Sequence, residues 1–542
     1  MTTAAGDPRT RTPDIPTSAA VRRAVRMPDY AAARRTFSWA AAAARLDGLP
    51  GGRGLNIAHE AVDRHVAAGR GDRHALRLLD TDGHGHPVTY AELRRRTNRF
   101  AQALERVGVR PGERVFTLLP RREELWIAVL GALKARCVVS PLFSAFGPEP
   151  VAQRLRLGRG AVLVTTPRLY ARSVADACDA LPALRHVLVT GDGAAPPGTS
   201  SLEEQLAGED GEFVIGPTRP EDPALLHYTS GTTGTPKGAL HVHRAVVAHH
   251  ATAESALDLG ADDVFWCTAD PGWVTGASYG IVAPLAHGAT AVVDPGDFDA
   301  QRWYRVLAEQ RVTVWYTAPT TLRMLARHGA PPPGCDLGAL RHVASVGEPL
   351  DAATVRWSDA ALGTPAHDTW WQAETGAIMI ANYAADPVRP GAMGRPVPGI
   401  EATVLQRDAE GRVRRDDGHV HEVDAPGTEG ELALRTGWPS MFRGYLDAPE
   451  REAAVFADGW YLTGDVVRRD ADGWYWFVGR SDDVIKTAGQ LVGPFEVEGV
   501  VMAHPAAARN RRRRRPADRL SELTRPPAGG GTASGAPPGR GR

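Results

Sequence analysis

The sequence predicts an α/β fold in which parallel sheets are covered by helices and a smaller β-barrel-like part follows. Three observations carry this expectation. From about residue 56, short β-type runs alternate with helical patterns, as in strands joined by crossover helices. After about residue 396 the alternation gives way to short strands separated by Gly/Asp turns. The chain has 542 residues, too many for one compact core, so two or more domains are expected.

Taken in order, residues 1–45 are Pro-, Thr- and Arg-rich and are expected to be poorly ordered. Residues 115–119 read as a strand, 123–135 as a helix, and 137–142, 162–166 and 186–190 as further strands. The alternation resumes at 290–293, 312–317 and 342–346, and the β-rich part is read from 400–405, 431–434, 460–462 and 474–478. No internal repeat is found. The stretch from residue 509 breaks with everything before it, holding no aromatic and almost no branched aliphatic residue. It cannot bury enough apolar surface to offset its conformational entropy and is expected to be disordered.

Composition excludes several classes. The formal net charge is zero, which gives no global pull toward nucleic acid or an anionic membrane. Cys137, Cys178, Cys267 and Cys335 are scattered without a CxxC pair, so neither a disulfide framework nor a zinc site is suggested. No apolar run approaches the roughly 18 residues needed to span a bilayer, and residues 40–44 are too short and too far in for a signal peptide. A cytoplasmic protein is expected, with no nucleic-acid or membrane partner and with its oligomeric state left open. Of the 63 basic residues only Lys134, Lys237 and Lys486 are lysines. In an Arg-biased chain, a lysine marks a place where a compact ammonium is wanted in preference to a planar guanidinium.

The most informative stretch is residues 228–238, YTSGTTGTPKG. An apolar run suited to a buried strand precedes it, and residues 243–257 have helical periodicity. Hydroxyls and backbone N–H groups on Thr229, Ser230, Gly231, Thr232, Thr233 and Gly234, closed by the ammonium of Lys237, form what a polyphosphate needs: many donors, no bulk and positive charge. The Pro-Lys-Gly ending differs from the common P-loop.

This loop resembles the phosphate loop of the AMP-forming acyl-CoA synthetases, within the adenylate-forming family that includes luciferases and peptide-synthetase adenylation domains. Further motifs follow in that family's order between about residues 56 and 505. The resemblance implies that SVGEPL (345–350) lines an adenine pocket with Gly347, Glu348 and Pro349. In DTWWQAETG (368–376), Asp368, Thr369, Trp370 and Gln372 are implied to lie at the nucleotide, and Glu374 to hold Mg2+ on the phosphates. A hard cation takes carboxylate oxygen readily. In YLTGD (461–465), Asp465 is implied to accept both ribose hydroxyls, with Arg480 of GRSDD (479–483) beside them. Asp482 corresponds to the hinge of a swinging C-terminal domain, and Lys486 to a lysine that acts in thioester formation. GWVTGASY (272–279), with Val346 and Trp371, resembles acetyl-CoA synthetases in particular. Val274, Thr275, Val346 and Trp371 are the expected acyl pocket, with the tryptophan ending it after a very short chain. Residues 140–149 and 438–445 (WPSMFRGY) look like the same branch and are assigned no chemistry.

The resemblance implies a large N-terminal domain over 46–479, made of two parallel-sheet α/β subdomains and the small β part. A truncated α+β C-terminal domain over 480–508 and the tail over 509–542 follow. The implied reaction consumes a carboxylate, ATP and coenzyme A and passes through acyl-AMP. Three departures bear on it. Ala373 stands where relatives usually have a threonine, and Leu491 where many have an arginine. No lysine follows Lys486, whereas the family drives adenylation with a lysine near its end. The tail is expected to be frameshifted coding sequence; an evolved basic tail is the alternative. The activity is then impaired, or the protein is a catalytically silent nucleotide-binding relic.

Overall fold

The computed structural model describes residues 13–17, 25–191, 193–207, 210–229, 236–481, 485–487 and 490–492. The chain divides into two compact units, Met1–Asp483 and Val484–Arg542. The tail from 509 and the hinge candidate Asp482 lie outside the described residues.

Two mainly parallel sheets and an antiparallel β subdomain build the first unit, so the α/β class and the small β part stand as expected. The larger sheet has nine strands. Its parallel centre runs, in spatial order, through Ala366–Trp370, His342–Ser345, Val314–Thr317, Val264–Cys267, Thr290–Val293 and His74–Leu79. Antiparallel pairs close both edges, with Gly85–Thr89 on one side and Ile380–Ala381 and Arg395–Pro396 on the other. The central strands are buried on both faces, which is why they read as unbroken apolar runs.

The second sheet has seven strands in the order Ser200–Ser201, His186–Val189, Gly160–Thr165, Arg114–Leu118, Val138–Pro141, Pro223–Thr229 and Lys237–Val242. Only its last pair is antiparallel. The helix Glu123–Lys134 buries every residue from Leu125 onward. Even Lys134 is fully enclosed, its ammonium 2.6 Å from Asp63 and 2.7 Å from the Asn98 side chain. A buried charge persists when paired and hydrogen-bonded, so this lysine serves the core.

The β subdomain pairs Ala402–Leu405, Glu429–Arg435, Trp460–Arg469, Phe456–Ala457 and Tyr475–Arg480, all antiparallel. The expected strand at 460–462 extends to Arg469, because residues past Gly464 continue to pair on both sides.

The expectation of poor order over 1–45 fails for residues 25–45. Helices Tyr30–Thr36 and Trp39–Ala43 form there, N-capped by Asp29 and Ser38. Tyr30 is buried and its hydroxyl donates to Pro396 O at 2.8 Å. Two capping residues and one buried aromatic outweigh the polar composition.

Candidate active site

Five of the residues singled out in the sequence, Lys237, Gln372, Glu374, Asp465 and Arg480, come together where the seven-stranded sheet meets the loop after Ala366–Trp370 and the β subdomain. Residues 230–235, which include Ser230, Gly231, Thr232, Thr233 and Gly234, lie outside the described residues. Their flanks are described: Thr229 ends one strand and Lys237 begins the next, the two facing each other in antiparallel register. The strand Lys237–Val242 was not anticipated, since the periodic signal there belongs to the helix Ala245–Ala256 that follows it.

Lys237, Gln372, Glu374 and Arg480 share one cleft of about 720 Å³, together with Glu431, Tyr445, Tyr461, Thr463 and a charged turn that includes Asp408, Glu410, Arg412 and Arg415. Asp465, only 4% exposed, follows the lining residue Gly464 and bonds two side chains that line the cleft, Arg480 and Gln372. Arg480 pairs with Asp465 Oδ1 at 2.9 Å, while Trp370 Nε1 and Gln372 Nε2 donate to Oδ2 at 2.8 and 3.1 Å. Burial pushes this carboxyl above the usual carboxylate range, and Arg480 opposes that shift. Gln372 is itself fixed, its amide nitrogen donating to Thr463 O at 2.9 Å and its oxygen accepting from Tyr461 at 2.8 Å.

On the other side of the cleft, Tyr445 donates its hydroxyl to Glu374 Oε1 at 2.8 Å. The Lys237 ammonium lies over the same tyrosine ring, 5.2 Å from its centre, a cation–π approach. The second Glu374 oxygen has no hydrogen-bond partner among the described residues. One anchored and one available carboxylate oxygen, facing an open cleft, suit a divalent cation that also takes phosphate oxygens.

Other expected nucleotide residues are placed differently. Asp368 and Thr369 are buried inside the larger sheet. Asp368 accepts from Ser345 Oγ at 3.2 Å, Thr369 donates to Ser345 O at 2.7 Å, and burial holds the Asp368 carboxyl well above its ordinary value. Gly347 and Glu348 are exposed just past the end of the neighbouring strand, Gly347 with φ at +89° and open space at its Cβ position. Glu348 is engaged by Arg323 at 2.5 Å and by Thr320 at 2.6 Å, and Pro349 is half-buried.

Trp371 is buried in an apolar cluster that also holds Val346, with Val274 packed against it. Its Nε1 donates to the Tyr316 hydroxyl at 3.1 Å, and its ring meets Tyr279 edge-on at 5.1 Å. Thr275, nearly buried, follows Val274 in the short helix Val274–Ala277. Lys486 belongs to the second unit, where it faces Leu491 across the strand pair Ile485–Thr487 and Gln490–Val492.

Sequence reasoning missed Tyr445, Tyr461, Glu431 and the tyrosines behind Trp371. Tyr445 and Tyr461 did lie inside motifs that had been singled out, but a hydroxyl among apolar neighbours leaves no periodic signal.

The family model described as AMP-binding enzyme matches residues 63–446, and the chain belongs to that family. Within it the chain is similar to AMP-forming ligases. Acetyl-coenzyme A synthetase of Bacillus subtilis (strain 168) is 42% identical over 485 residues, which is 89% of this chain and 82% of that protein. Among solved structures, Brucella canis acyl-CoA synthetase matches with a TM-score of 0.74 at 32% identity, covering 88% of this chain and 84% of that one. An anthranilate CoA ligase in complex with anthranoyl-AMP matches with a TM-score of 0.74 at 27% identity, covering 83% of each chain.

Proposed function

We propose that this protein activates a short-chain carboxylate, acetate first and propionate next, to acyl-AMP and then to acyl-CoA. The carboxylate attacks the α-phosphorus of ATP and pyrophosphate leaves; the coenzyme A thiol then attacks the acyl carbon and AMP leaves. The observation that carries the choice of acid is the fixed position of Trp371, pinned by Tyr316 and Tyr279 beside Val346 and Val274. A wall held by a hydrogen bond and an edge-on ring cannot swing aside for a longer chain, so each extra methylene must overpack the cluster.

Charge in the first step develops on phosphoryl oxygens, so catalysis is mostly positioning and electrostatic stabilisation. Lys237 supplies positive charge at the phosphates. Glu374 is the protein ligand for Mg2+, which when bound neutralises the pyrophosphate leaving group. Asp465 holds the ribose with Arg480 alongside. Its carboxylate already accepts from three protein donors, so a vicinal diol binds by sharing or displacing Gln372. Gly347, Glu348 and Pro349 border the adenine, while Asp368 and Thr369 support the strand that carries Trp370. Residues 46–479 form the adenylating platform and 480–508 belong to a part that turns about Asp482 to bring Lys486 into the second step. A cytoplasmic setting agrees with four free cysteines and with the absence, among the described residues, of any helix long and apolar enough to cross a membrane.

No lysine follows Lys486, so the cation that the family brings to adenylation has no counterpart in this sequence. We infer that the chain, assayed with this sequence, forms acyl-AMP more slowly than it consumes it. The same observation favours a second reading, a relic that binds nucleotide without turnover. Pyrophosphate release with acetate and MgATP decides between them: turnover supports the enzyme, and intact ATP binding without turnover supports the relic. Equal rates for adenylation of acetate and for thioester formation from synthetic acetyl-AMP would sink the unequal half-reactions.

A further inference from the structure

The cleft is held together by a segment that the functional reading leaves unused. Residues 438–446 run between the strand Lys237–Val242 and the loop that carries Glu374. On the strand side, Leu240 N donates to Gly444 O at 3.1 Å, Arg443 N to Leu240 O at 2.7 Å and Leu446 N to Gly238 O at 2.8 Å. On the loop side, Phe442 N donates to Glu374 O at 2.9 Å, and Trp438 Nε1 and Ser440 Oγ both donate to Thr375 O at 2.8 Å.

One side chain of the strand touches both partners. Lys237 and His241 are four residues apart on a strand, so they share a face. The buried His241 presents Nδ1 to Ser440 O at 2.9 Å; opposite a carbonyl, that nitrogen must be the donor. The same ring backs onto the loop at Gly376, whose φ is +68°. A Cβ there would lie 2.9 Å from the imidazole and 2.3 Å from Ser440 O.

We propose that His241 is a positioning residue that sets the separation of Lys237 from Glu374. It does so by pinning Ser440, and through it Thr375, while its ring braces Gly376. The inference rests on the proposed roles of Lys237 and Glu374 at a magnesium-bound polyphosphate. A lysine and a metal-holding carboxylate that grip one polyphosphate must be spaced correctly before it arrives, and displacement by about an ångström costs on the order of a hundredfold in rate. His241 touches neither phosphate nor metal.

The test uses the full chain with His241→Leu, which keeps apolar bulk but cannot donate, and His241→Asn, whose amide can replace Nδ1–H. Calorimetry of ATP binding with and without Mg2+ needs no turnover. A parent that binds MgATP but activates no acid therefore defeats the proposed reaction and leaves this test in force. The leucine variant is expected to lose about tenfold of the affinity gain that Mg2+ confers, and the asparagine variant to recover most of it. Where turnover is measured, kcat for pyrophosphate release falls about ten- to hundredfold in the leucine variant while the KM for acetate stays unchanged. A role in stability alone would also lower the apparent kcat at unchanged KM by shrinking the folded fraction. Rates are therefore taken per folded protein, and the Mg2+ dependence of ATP affinity, which a smaller folded fraction does not move, makes the distinction. If the leucine variant does not fold, His241→Gln, whose longer amide misplaces Ser440, takes its place with the same expected loss. The idea is overturned by an unchanged Mg2+ dependence in the leucine or glutamine variant, by an asparagine variant as impaired as leucine, or by a parent indifferent to Mg2+.

Discussion

At the scale of single residues, two charged side chains proposed to hold the nucleotide, Lys237 and Asp465, each make a separable prediction. Lys237 begins a strand and lies over Tyr445, whereas Asp465 is buried among Arg480, Trp370 and Gln372. Lys237→Ala and Asp465→Ala are each expected to weaken ATP or AMP binding by roughly 1–3 kcal/mol, the scale of a lost charge-assisted contact. Calorimetry finding unchanged affinity in both would make these positions structural only. A third prediction concerns Trp371, proposed to end the acyl pocket. Trp371→Gly removes the ring packed edge-on against Tyr279 and is expected to shift preference from acetate toward longer acids, read as kcat/KM across a chain-length series. A parent equally active on octanoate and acetate would refute the short pocket. The motif residues were legible in the sequence because their chemistry is rare: three lysines in an arginine-rich chain, and paired tryptophans beside a glutamate. Tyr445 and Tyr461 were not, because their function is a single hydroxyl aimed by the fold.

The decisive element is the turn 372–376. Its Thr375 hydroxyl accepts from Gln372 N at 3.0 Å and lies 3.0 Å from Ala377 O, and three outside side chains reach its carbonyls: Trp438, Ser440 and His249. Gly376 ends it in the left-handed region, where backbone from Ser440 fills the place of a side chain. Gly376→Ala is therefore expected to destabilise by more than ~1 kcal/mol, because positive φ and a backbone clash act together. Urea unfolding should show a lower midpoint with unchanged slope; a midpoint equal to that of the parent would mean that the turn relaxes freely. The alternation of strands and helices was readable across both sheets because strands buried on two faces are written as short apolar runs. The strand Lys237–Val242 escaped, since its first two residues belong to the motif at 228–238 and its partner is the strand just before it in the chain.

Acid sensitivity belongs to the whole molecule. His241, His243, His249 and His367 are buried and His287 is half-buried, with desolvation lowering each from 6.5 to about 4, and the buried His65 is lowered to about 3. These groups are neutral in the folded state while the unfolded chain takes up protons first. Their contribution to stability is therefore complete above about 6.5 and is lost as pH falls toward about 4. Scanning calorimetry between about pH 7 and about pH 5 should show a falling Tm; a flat profile would mean that these imidazoles are solvated. Residues 25–45 also act at this scale, since Tyr30 ties the N-terminal helices to Pro396.

The sequence by itself determined the fold class and the family, and it marked the motif at 228–238 and the lysine, carboxylates and tryptophan on which the proposed function rests, because local composition and motif order carry those directly. It could not say which strands become neighbours. His74–Leu79 pairs with Thr290–Val293, more than two hundred residues on, and no local pattern records that. Nor could it separate Asp368, which accepts from Ser345 inside the sheet, from Asp465, which accepts from Arg480, Trp370 and Gln372. Both are buried aspartates in a motif, and only their partners tell them apart. Tertiary packing also decided what holds Lys237 and Glu374 in place. Their link runs through residues 438–446 and His241, distant in the chain and joined by backbone and side-chain hydrogen bonds that no local pattern records.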